Sequence, residues 1–302
     1  MSFADFAAFR RTLPAPPPLA RTSRTLRGLP FALYHTPAVP DTVPLVCTNG
    51  GLIYDHRLLW PALSPLAERR QLWFWDQRGR GRTPAPPGLR AARFTHDIGD
   101  LAALIAALAE SLGSPVDTFG HSWGAGMTLA ASAQAAAQVR RTALANCVGP
   151  TGAWRATLLA NARRRLDDAR RAAFDEALAF LDADGSIAAH SAYSRALYPA
   201  WFFDPTFADV FQPPVATSET GAVVATHLYR EGYDVTAHVR GYDRPALFVH
   251  GADDILPPAE SQAMAALVRQ PHVMLVADCG HLPFWERPRP FFETVETFLG
   301  AP

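Results

Sequence analysis

The 302-residue sequence contains no lysine, so all 28 of its basic side chains are arginine. Enzymes that form a lysine Schiff base and P-loop nucleotide-binding proteins both require a lysine, and both classes are therefore excluded. The 28 acidic side chains balance the arginines, which gives a formal net charge of zero. Without an excess of basic charge we expect no nucleic-acid partner and no anionic membrane as partner.

Cysteine is also scarce, and long apolar runs are missing. The three cysteines, Cys47, Cys147 and Cys279, are far apart and odd in number, so neither a disulfide framework nor a zinc-site spacing is present. The ten histidines form no H-E-x-x-H motif, and we expect no metal and no cofactor. No run reaches the length of a membrane span, and the first residues contain no long apolar leader. These features predict a cytoplasmic protein.

Hydrophobic residues make up 49% of the chain, which is enough for a large core. Short apolar runs alternate with helical patterns, and this alternation predicts a mostly parallel central sheet with helices on both faces. The predicted strands are residues 24–36 in two pieces, 45–47, 72–75, 116–119, 141–147, 246–249 and 273–276; the predicted helices are 54–67, 97–112, 259–268 and 289–299.

The alternation stops in the middle of the chain. Between about residues 150 and 243 it gives way to charged helical sequence and an aromatic segment, residues 193–211. We therefore predict an α/β core, residues 1–149 and 244–302, with a helical cap inserted at 150–243. Some cap aromatics should cover the strand ends, and we take Trp201 and Phe202 as candidates for substrate binding.

A possible nucleophile lies at the sequence Gly120-His121-Ser122-Trp123-Gly124. It follows an apolar run and opens a segment of small residues, which is the strand–turn–helix context that G-x-S-x-G requires. The turn would strain the backbone at Ser122 and expose its hydroxyl at the top of the sheet. A glycine-rich loop that happens to contain a serine is the alternative.

A serine needs a base, and the base needs a third group that orients it. His281 follows the predicted strand 273–276, and Asp253 and Asp254 follow the strand 246–249. Both loops come after the carboxyl ends of strands, where open α/β sheets form their sites. We predict His281 as the base and Asp254 as the acid, with Asp253 as the alternative acid.

An oxyanion requires two fixed N–H donors. The residue after the nucleophile usually supplies one, so we assign it to Trp123. The second should come from the loop after the early strand 45–47, and we assign it to Gly51. A tight turn built from Asn49, Gly50 and Gly51 describes the same loop without that function.

These motifs resemble those of the α/β-hydrolase superfamily, and within it most of all the prolyl-aminopeptidase-like serine hydrolases. That group has H-G-G-P-G, D-Q-R-G-x-G-x-S and G-x-S-W-G-G where this chain has residues 49–53, 76–83 and 120–126. The resemblance implies an α/β-hydrolase fold and a Ser122–Asp254–His281 triad. Asn49 replaces the histidine of the first motif, and Leu52 and Ile53 replace its Pro-Gly pair.

The resemblance leaves the substrate open. Aminopeptidases of this group bind the substrate amine with cap glutamates, and Ala225 occupies the matching position here, although Glu219 and Glu231 are near enough in sequence to replace it. We expect a serine hydrolase that cleaves an ester or amide of a small molecule or short peptide. The alternatives are a lactone, thioester or C–C bond hydrolase, a lyase using the same triad, and a ligand-binding protein without turnover. The sequence does not predict an oligomeric state.

Overall fold

The computed structural model describes residues 15–215 and 218–301. Residues 1–14, 216–217 and 302, which the predicted domains include, lie outside the described residues. The strands are β1 (Ala20–Leu26), β2 (Leu29–His35), β3 (Leu45–Thr48), β4 (Leu72–Trp75), β5 (Val116–His121), β6 (Val139–Ala145), β7 (Ala246–Gly251) and β8 (Pro271–Val276). The helices are α1 (Phe94–Leu112), α2 (Trp123–Gln134), α3 (Trp154–Arg165), α4 (Asp168–Asp184), α5 (Ile187–Leu197), α6 (Glu219–Glu231), α7 (Thr236–Val239), α8 (Pro258–Ala265), α9 (Pro283–Glu286) and α10 (Pro288–Gly300).

The eight strands form one sheet in the order β1-β2-β4-β3-β5-β6-β7-β8. β2 runs antiparallel to both of its neighbours, and the other pairings are parallel. β3 pairs with β4 on one side and with β5 on the other, so the direction in which the chain crosses the sheet reverses between β4 and β5. An open sheet gathers its site at such a switch point, beyond the carboxyl ends of the strands. The predicted fold class, an α/β-hydrolase fold with a mostly parallel sheet, is confirmed.

Two apolar clusters cover the two faces of the sheet. On one face Val116 of β5 packs with the apolar stripe of α1, which includes Ile98, Leu101 and Ile105. On the other face Phe119 packs against Phe291 of α10, with ring centroids 6.3 Å apart. The two faces of β5 thus enter opposite layers, and all six of its residues are buried, including the polar Asp117 and Thr118.

The helix predicted for residues 54–67 is wrong. The structure has two short 3₁₀ helices there, His56–Leu58 and Ser64–Glu68. Pro61 and Pro65 interrupt this stretch, and a proline lacks the N–H that an α-helical interior requires.

The described part of residues 150–243, between β6 and β7, contains helices and no strand of the sheet. We call this segment the helical insertion. Its two ends meet at an antiparallel bridge between Thr151 and Asp234. Nothing in the bridge fixes the boundaries of a domain, so the division at 149/150 and 243/244 stays a prediction.

Candidate active site

Ser122 lies at the sharp turn between β5 and α2. Its backbone has φ 59° and ψ −126°, a conformation that costs energy for a residue with a side chain. Two neighbours hold it there: its N–H donates to the carbonyl of Ala145 at 2.9 Å, and its carbonyl accepts from Ala125 N at 2.9 Å. The strained turn leaves Ser122 on the wall of a cavity.

The turn also depends on a close approach by the loop after β3. A Cβ built on Gly50 would lie 2.7 Å from the Cβ of Ser122 and 2.6 Å from the carbonyl oxygen of His121. Only glycine fits at this position, and its backbone therefore lies directly against Ser122.

His281 and Asp254 form a buried pair at the carboxyl ends of β8 and β7. Nδ1 of His281 and Oδ2 of Asp254 are 2.6 Å apart, and both side chains are almost inaccessible. An ionised carboxylate only accepts hydrogen bonds, so Nδ1 of His281 carries the proton. In the neutral imidazole, Nε2 is then left as a proton acceptor.

Asp254 has two further donors and a neighbouring imidazole. Nδ2 of Asn146 donates to Oδ2 at 2.7 Å, the N–H of Leu256 donates to Oδ1 at 2.9 Å, and Nε2 of His250 lies 3.3 Å from Oδ2. Burial by itself would raise the pKa of Asp254, but His281 and His250 outweigh it and hold that pKa well below its usual range. The carboxyl is therefore ionised, as an orienting group for a histidine must be.

His121 supports the loop of His281 from below. Its Nε2 donates to the backbone carbonyl of His281 at 2.8 Å, and the ring is buried. Burial, with the neighbouring His281, lowers the pKa of His121 to about 3. His121 is thus neutral near pH 7. Both His121 and His281 line the cavity with Ser122, but only His281 is paired with Asp254.

The two residues predicted as oxyanion donors flank Ser122. Trp123 is the first residue of α2, where the N–H groups have no partner within the helix, and Gly51 lines the cavity with Ser122. The loop that contains Gly51 is fixed from the core: Gln77 Nε2 donates to Asn49 O at 3.1 Å, and Arg80 Nε donates to Leu52 O at 2.8 Å. Their role as donors stays a prediction.

The cavity at Ser122 and His281 has a volume of about 90 Å³. The helical insertion contributes Tyr193, Ser194, Leu197, Tyr198, Trp201 and Tyr229; the rest of the chain contributes Gly51, Tyr54, Leu58, His121, Ser122, His281 and Leu282. The lining is mostly aromatic and aliphatic, and none of these residues is a carboxylate.

Of the four residues predicted to bind substrate, one lines this cavity. Trp201 does so, and its ring stacks on that of His281 with centroids 3.9 Å apart. Phe202 is instead fully buried in the second apolar cluster, where its ring packs against Tyr198.

Neither glutamate lines the cavity within the described part of the chain. Glu219 is exposed in the first turn of α6. Glu231 is bonded to His227 at 2.6 Å and lies 3.8 Å from Arg93, on a separate cleft of about 490 Å³. The ion pairs of Glu231 account for its position at the surface. Substrate binding by Glu219 and Glu231 stays a prediction.

The sequence analysis missed several residues of this site. Asn146 and His250 contact the acid, and the cavity walls include Tyr54, Ser194 and Tyr229. Asn146 and His250 had a usable signal, because each lies at the carboxyl end of a predicted strand, as Asp254 does. The wall residues had none, since their periodicity is that of ordinary helix packing.

Within the described residues, Asp55, His56 and Asp76 form a group whose ligand atoms lie within 4.8 Å of one another. These atoms already have protein partners. Asp76 accepts from Tyr34 at 2.9 Å and pairs with His56 Nδ1 at 2.8 Å, and Asp55 pairs with Arg57 at 2.7 Å. We read the cluster as a structural network, and no step of the chemistry below needs it.

Among the helices that the structure describes, none combines the length and the apolar character needed to cross a membrane.

Comparison with solved structures gives the same fold at low identity. The 2-hydroxy-6-oxo-6-phenylhexa-2,4-dienoate hydrolase from Rhodococcus sp. strain RHA1 superposes with a TM-score of 0.71 at 18% identity, covering 94% of this chain and 99% of that one. A proline iminopeptidase from Mycobacterium smegmatis gives 0.67 at 18% identity, covering 93% and 98%. At this identity the likeness concerns the fold alone.

A curated relative matches part of the chain. The probable oxidoreductase EphD of Mycobacterium tuberculosis is 34% identical over 113 residues, which are 37% of this chain and 18% of that protein. The chain thus covers less than a fifth of this relative. The model of the alpha/beta hydrolase family matches residues 45–294, most of the chain and all the loops described above. The chain therefore belongs to the alpha/beta hydrolase family.

Proposed function

We propose that this protein is a cofactor-independent serine hydrolase that cleaves small, uncharged carboxylic esters or lactones. The observation that carries the proposal is the buried Asp254–His281 pair, at 2.6 Å, whose imidazole lines the same small aromatic cavity as the strained Ser122. The family supplies the general class, and these three side chains supply the chemistry.

Asp254 fixes the proton on Nδ1 of His281, so that Nε2 can accept the proton of Ser122. The Ser122 oxygen attacks the carbonyl carbon of the substrate, and the carbonyl oxygen becomes an oxyanion. The N–H groups of Gly51 and Trp123 are the proposed donors to that oxygen, and a donor of this kind contributes on the order of a hundred- to a thousand-fold in rate.

The tetrahedral intermediate collapses when His281 returns the proton to the leaving oxygen. An ester then releases an alcohol, whereas a lactone opens and keeps its hydroxyl on the acyl group. Water attacks the acyl-enzyme on Ser122, with His281 again as base, and the acid product leaves.

The cavity walls favour a neutral acyl group. None of the described residues that line the cavity is a carboxylate that could bind a substrate ammonium, which favours an ester or lactone over an aminopeptidase substrate. Burying an ammonium there without a partner would cost several kcal/mol. The volume of about 90 Å³ is well below the roughly 300 Å³ of ordinary small-molecule pockets, so the acyl group should be short.

The helical insertion acts in this proposal as the cap. It provides six of the residues that line the cavity, so it forms much of the wall that a bound substrate would contact. We place the cap at residues 150–243, as the sequence predicts.

A substrate panel tests the proposal. It contains p-nitrophenyl esters from acetyl to decanoyl, a γ- and a δ-lactone, and prolyl and alanyl p-nitroanilides, each with wild type and Ser122→Ala. We expect hydrolysis that is strongest for short esters or lactones and is lost in Ser122→Ala.

Preference for the aminoacyl anilides would refute the neutral-substrate assignment. Wild-type rates equal to those of Ser122→Ala across the whole panel would refute the hydrolase itself and favour a binding protein.

A further inference from the structure

A buried carboxylate outside the proposed triad accepts hydrogen bonds from the loop that contains His281. We call this loop, residues 279–283, the base loop. Glu286, in α9, is 2% exposed, and its two oxygens accept from three backbone N–H groups. Oε2 accepts from Gly280 at 3.0 Å and from Phe203 at 2.7 Å, and Oε1 accepts from Leu282 at 3.1 Å. Two of these donors are the residues on either side of His281.

The third donor belongs to the helical insertion. Phe203 ends a short stretch, residues 201–203, that lies against the base loop and that we call the floor segment. The N–H of His281 donates to the carbonyl of Trp201 at 2.6 Å. A Cβ on Gly280 would lie 2.3 Å from that same oxygen. The two backbones are therefore in direct contact.

The floor segment is also tied to the loop of the acid. Arg165 of α3 donates from Nη1 to the carbonyl of Phe202 at 2.7 Å and from Nη2 to the carbonyl of Asp253 at 2.5 Å. One end of the insertion is thus bonded to both loops that supply the Asp254–His281 pair.

We propose that Glu286 is a positioning residue that fastens the base loop to the floor segment, so that His281 is held in place only while the floor segment is docked. The proposal rests on the proposed function for its catalytic half. Its structural half, the coupling of two backbone segments by one carboxylate, does not depend on any activity. It also implies that substrate enters on the opposite side of the insertion, since the floor segment cannot lift without releasing His281.

The surroundings of Glu286 make its carboxylate sensitive to protonation. Burial raises the pKa of Glu286 to about 7 and Asp254 adds to the rise, while the three N–H donors oppose it. The other charged or titratable groups around it are Cys279 of the base loop, Tyr198 beside the floor segment, Arg287 of the same turn, and Arg165 and His281 through the backbone contacts above. Protonation would turn one carboxylate oxygen into a hydroxyl donor, and at least one of the three backbone N–H groups would then lose its acceptor.

Two variants remove different numbers of the hydrogen bonds that Glu286 accepts. Glu286→Gln keeps the size and one acceptor oxygen, which can still serve Gly280 and Phe203, but it turns an NH₂ group toward Leu282. Glu286→Ala removes all three bonds. The control is Glu296→Gln, which removes a mostly buried carboxylate that pairs with Arg70 at 3.1 Å and does not contact the base loop.

Hydrogen exchange of the full-length protein, read by mass spectrometry, measures the structural half. Peptides that contain the floor segment and peptides that contain residues 279–283 should both exchange faster in Glu286→Ala, by a similar factor. The rise should be smaller but shared in Glu286→Gln, and absent in Glu296→Gln. Faster exchange in only one of the two segments, or in neither, would overturn the coupling. Should Glu286→Ala not fold, Glu286→Gln still decides the matter.

Steady-state kinetics on the best short ester measures the catalytic half. Misplacing the base lowers kcat, and we expect a fall of about a hundred-fold in Glu286→Ala and of about ten-fold in Glu286→Gln, with KM changed less than three-fold. An unchanged kcat in both variants would overturn the positioning role even if exchange rises. If wild type hydrolyses nothing, the proposed function fails, and the exchange result alone then supports or refutes the coupling.

Discussion

Replacing Asp254 by asparagine separates the charge of the acid from its hydrogen bonds. The asparagine oxygen can take the place of Oδ2, which accepts from Asn146 at 2.7 Å and from His281 at 2.6 Å. Nε2 of His250 lies 3.3 Å from the same oxygen. Its NH₂ group would then face the N–H of Leu256, so one bond is lost. The proton of His281 stays on Nδ1, and what disappears is the negative charge beside the imidazole.

The magnitude follows from the distance. An imidazolium forms during attack by Ser122, and its charge centre lies about 4 Å from that of the carboxylate, where two unit charges interact by about 4 kcal/mol at an effective dielectric constant of about 20. Loss of that stabilisation corresponds to roughly a thousand-fold fall in kcat/KM. The reaction of Ser122 with a fluorophosphonate should slow by a similar factor.

The assay compares Asp254→Asn with Asp253→Asn, because the sequence leaves these two neighbours as rival acids. Asp253 is only half-buried, so its substitution should change kcat/KM less than three-fold. Both variants are measured on one short ester, with circular dichroism to verify folding. A folded Asp254→Asn with more than a third of wild-type activity, or an Asp253→Asn with the larger loss, would refute the assignment.

Three other substitutions give distinct outcomes. Gly50→Ala places a Cβ 2.7 Å from that of Ser122, so we expect a fall in melting temperature and at least a hundred-fold slower fluorophosphonate labelling, and normal labelling would contradict the close approach. Trp201→Ala removes the ring stacked on His281 and widens the cavity, which should move the preferred ester from acetyl or butyryl toward longer chains; an unchanged chain-length profile would mean that Trp201 does not limit the acyl site. Burial raises the pKa of Glu286 from 4.5 to about 7, so between these pH values the folded state binds a proton that the unfolded state has lost. As the pH rises from 4.5 to 7, wild type should therefore lose about 3 kcal/mol of unfolding free energy relative to Glu286→Gln. Urea unfolding at pH 4.5, 6 and 7.5 measures that difference, and a difference that does not vary with pH would show that Glu286 is already ionised at the low end.

The parts of the site that depend on residues adjacent in the chain could be predicted from the sequence. The turn at Ser122 needs only a strand, small neighbours and a helix, and all three are legible in residues 116–134. The loops of Asp254 and His281 follow strands that are apolar enough to be recognised. Because parallel strands end at the same edge of a sheet, chain order was sufficient to expect the Asp254–His281 contact.

The walls of the cavity could not be predicted in this way. Trp201 and Phe202 are adjacent and chemically alike, yet one lies on the cavity and the other in the core. A 3₁₀ helix ends at Trp201, and the next residue turns into extended backbone, so the two rings diverge at a point that only tertiary packing defines. The bonds of Glu286 are equally invisible, since its partners are backbone groups up to 83 positions away.

The sequence also did not predict where the glutamates of the helical insertion would lie. Glu231 was a reasonable candidate for an amine site because it lies near the matching position of the aminopeptidase motif. Its direction was set by a pairing with His227 one helical turn earlier, at 2.6 Å. A surface ion pair of this kind contributes little stability, but it accounts for the exposed position of Glu231.

The most direct measurement is covalent labelling with a small fluorophosphonate, followed by digestion and mass mapping of the adduct. The account predicts a single adduct on Ser122, formed in wild type, abolished in Ser122→Ala and slowed about a thousand-fold in Asp254→Asn. An adduct on another residue, or labelling of Ser122→Ala at the wild-type rate, would contradict the claim that Ser122, Asp254 and His281 act together.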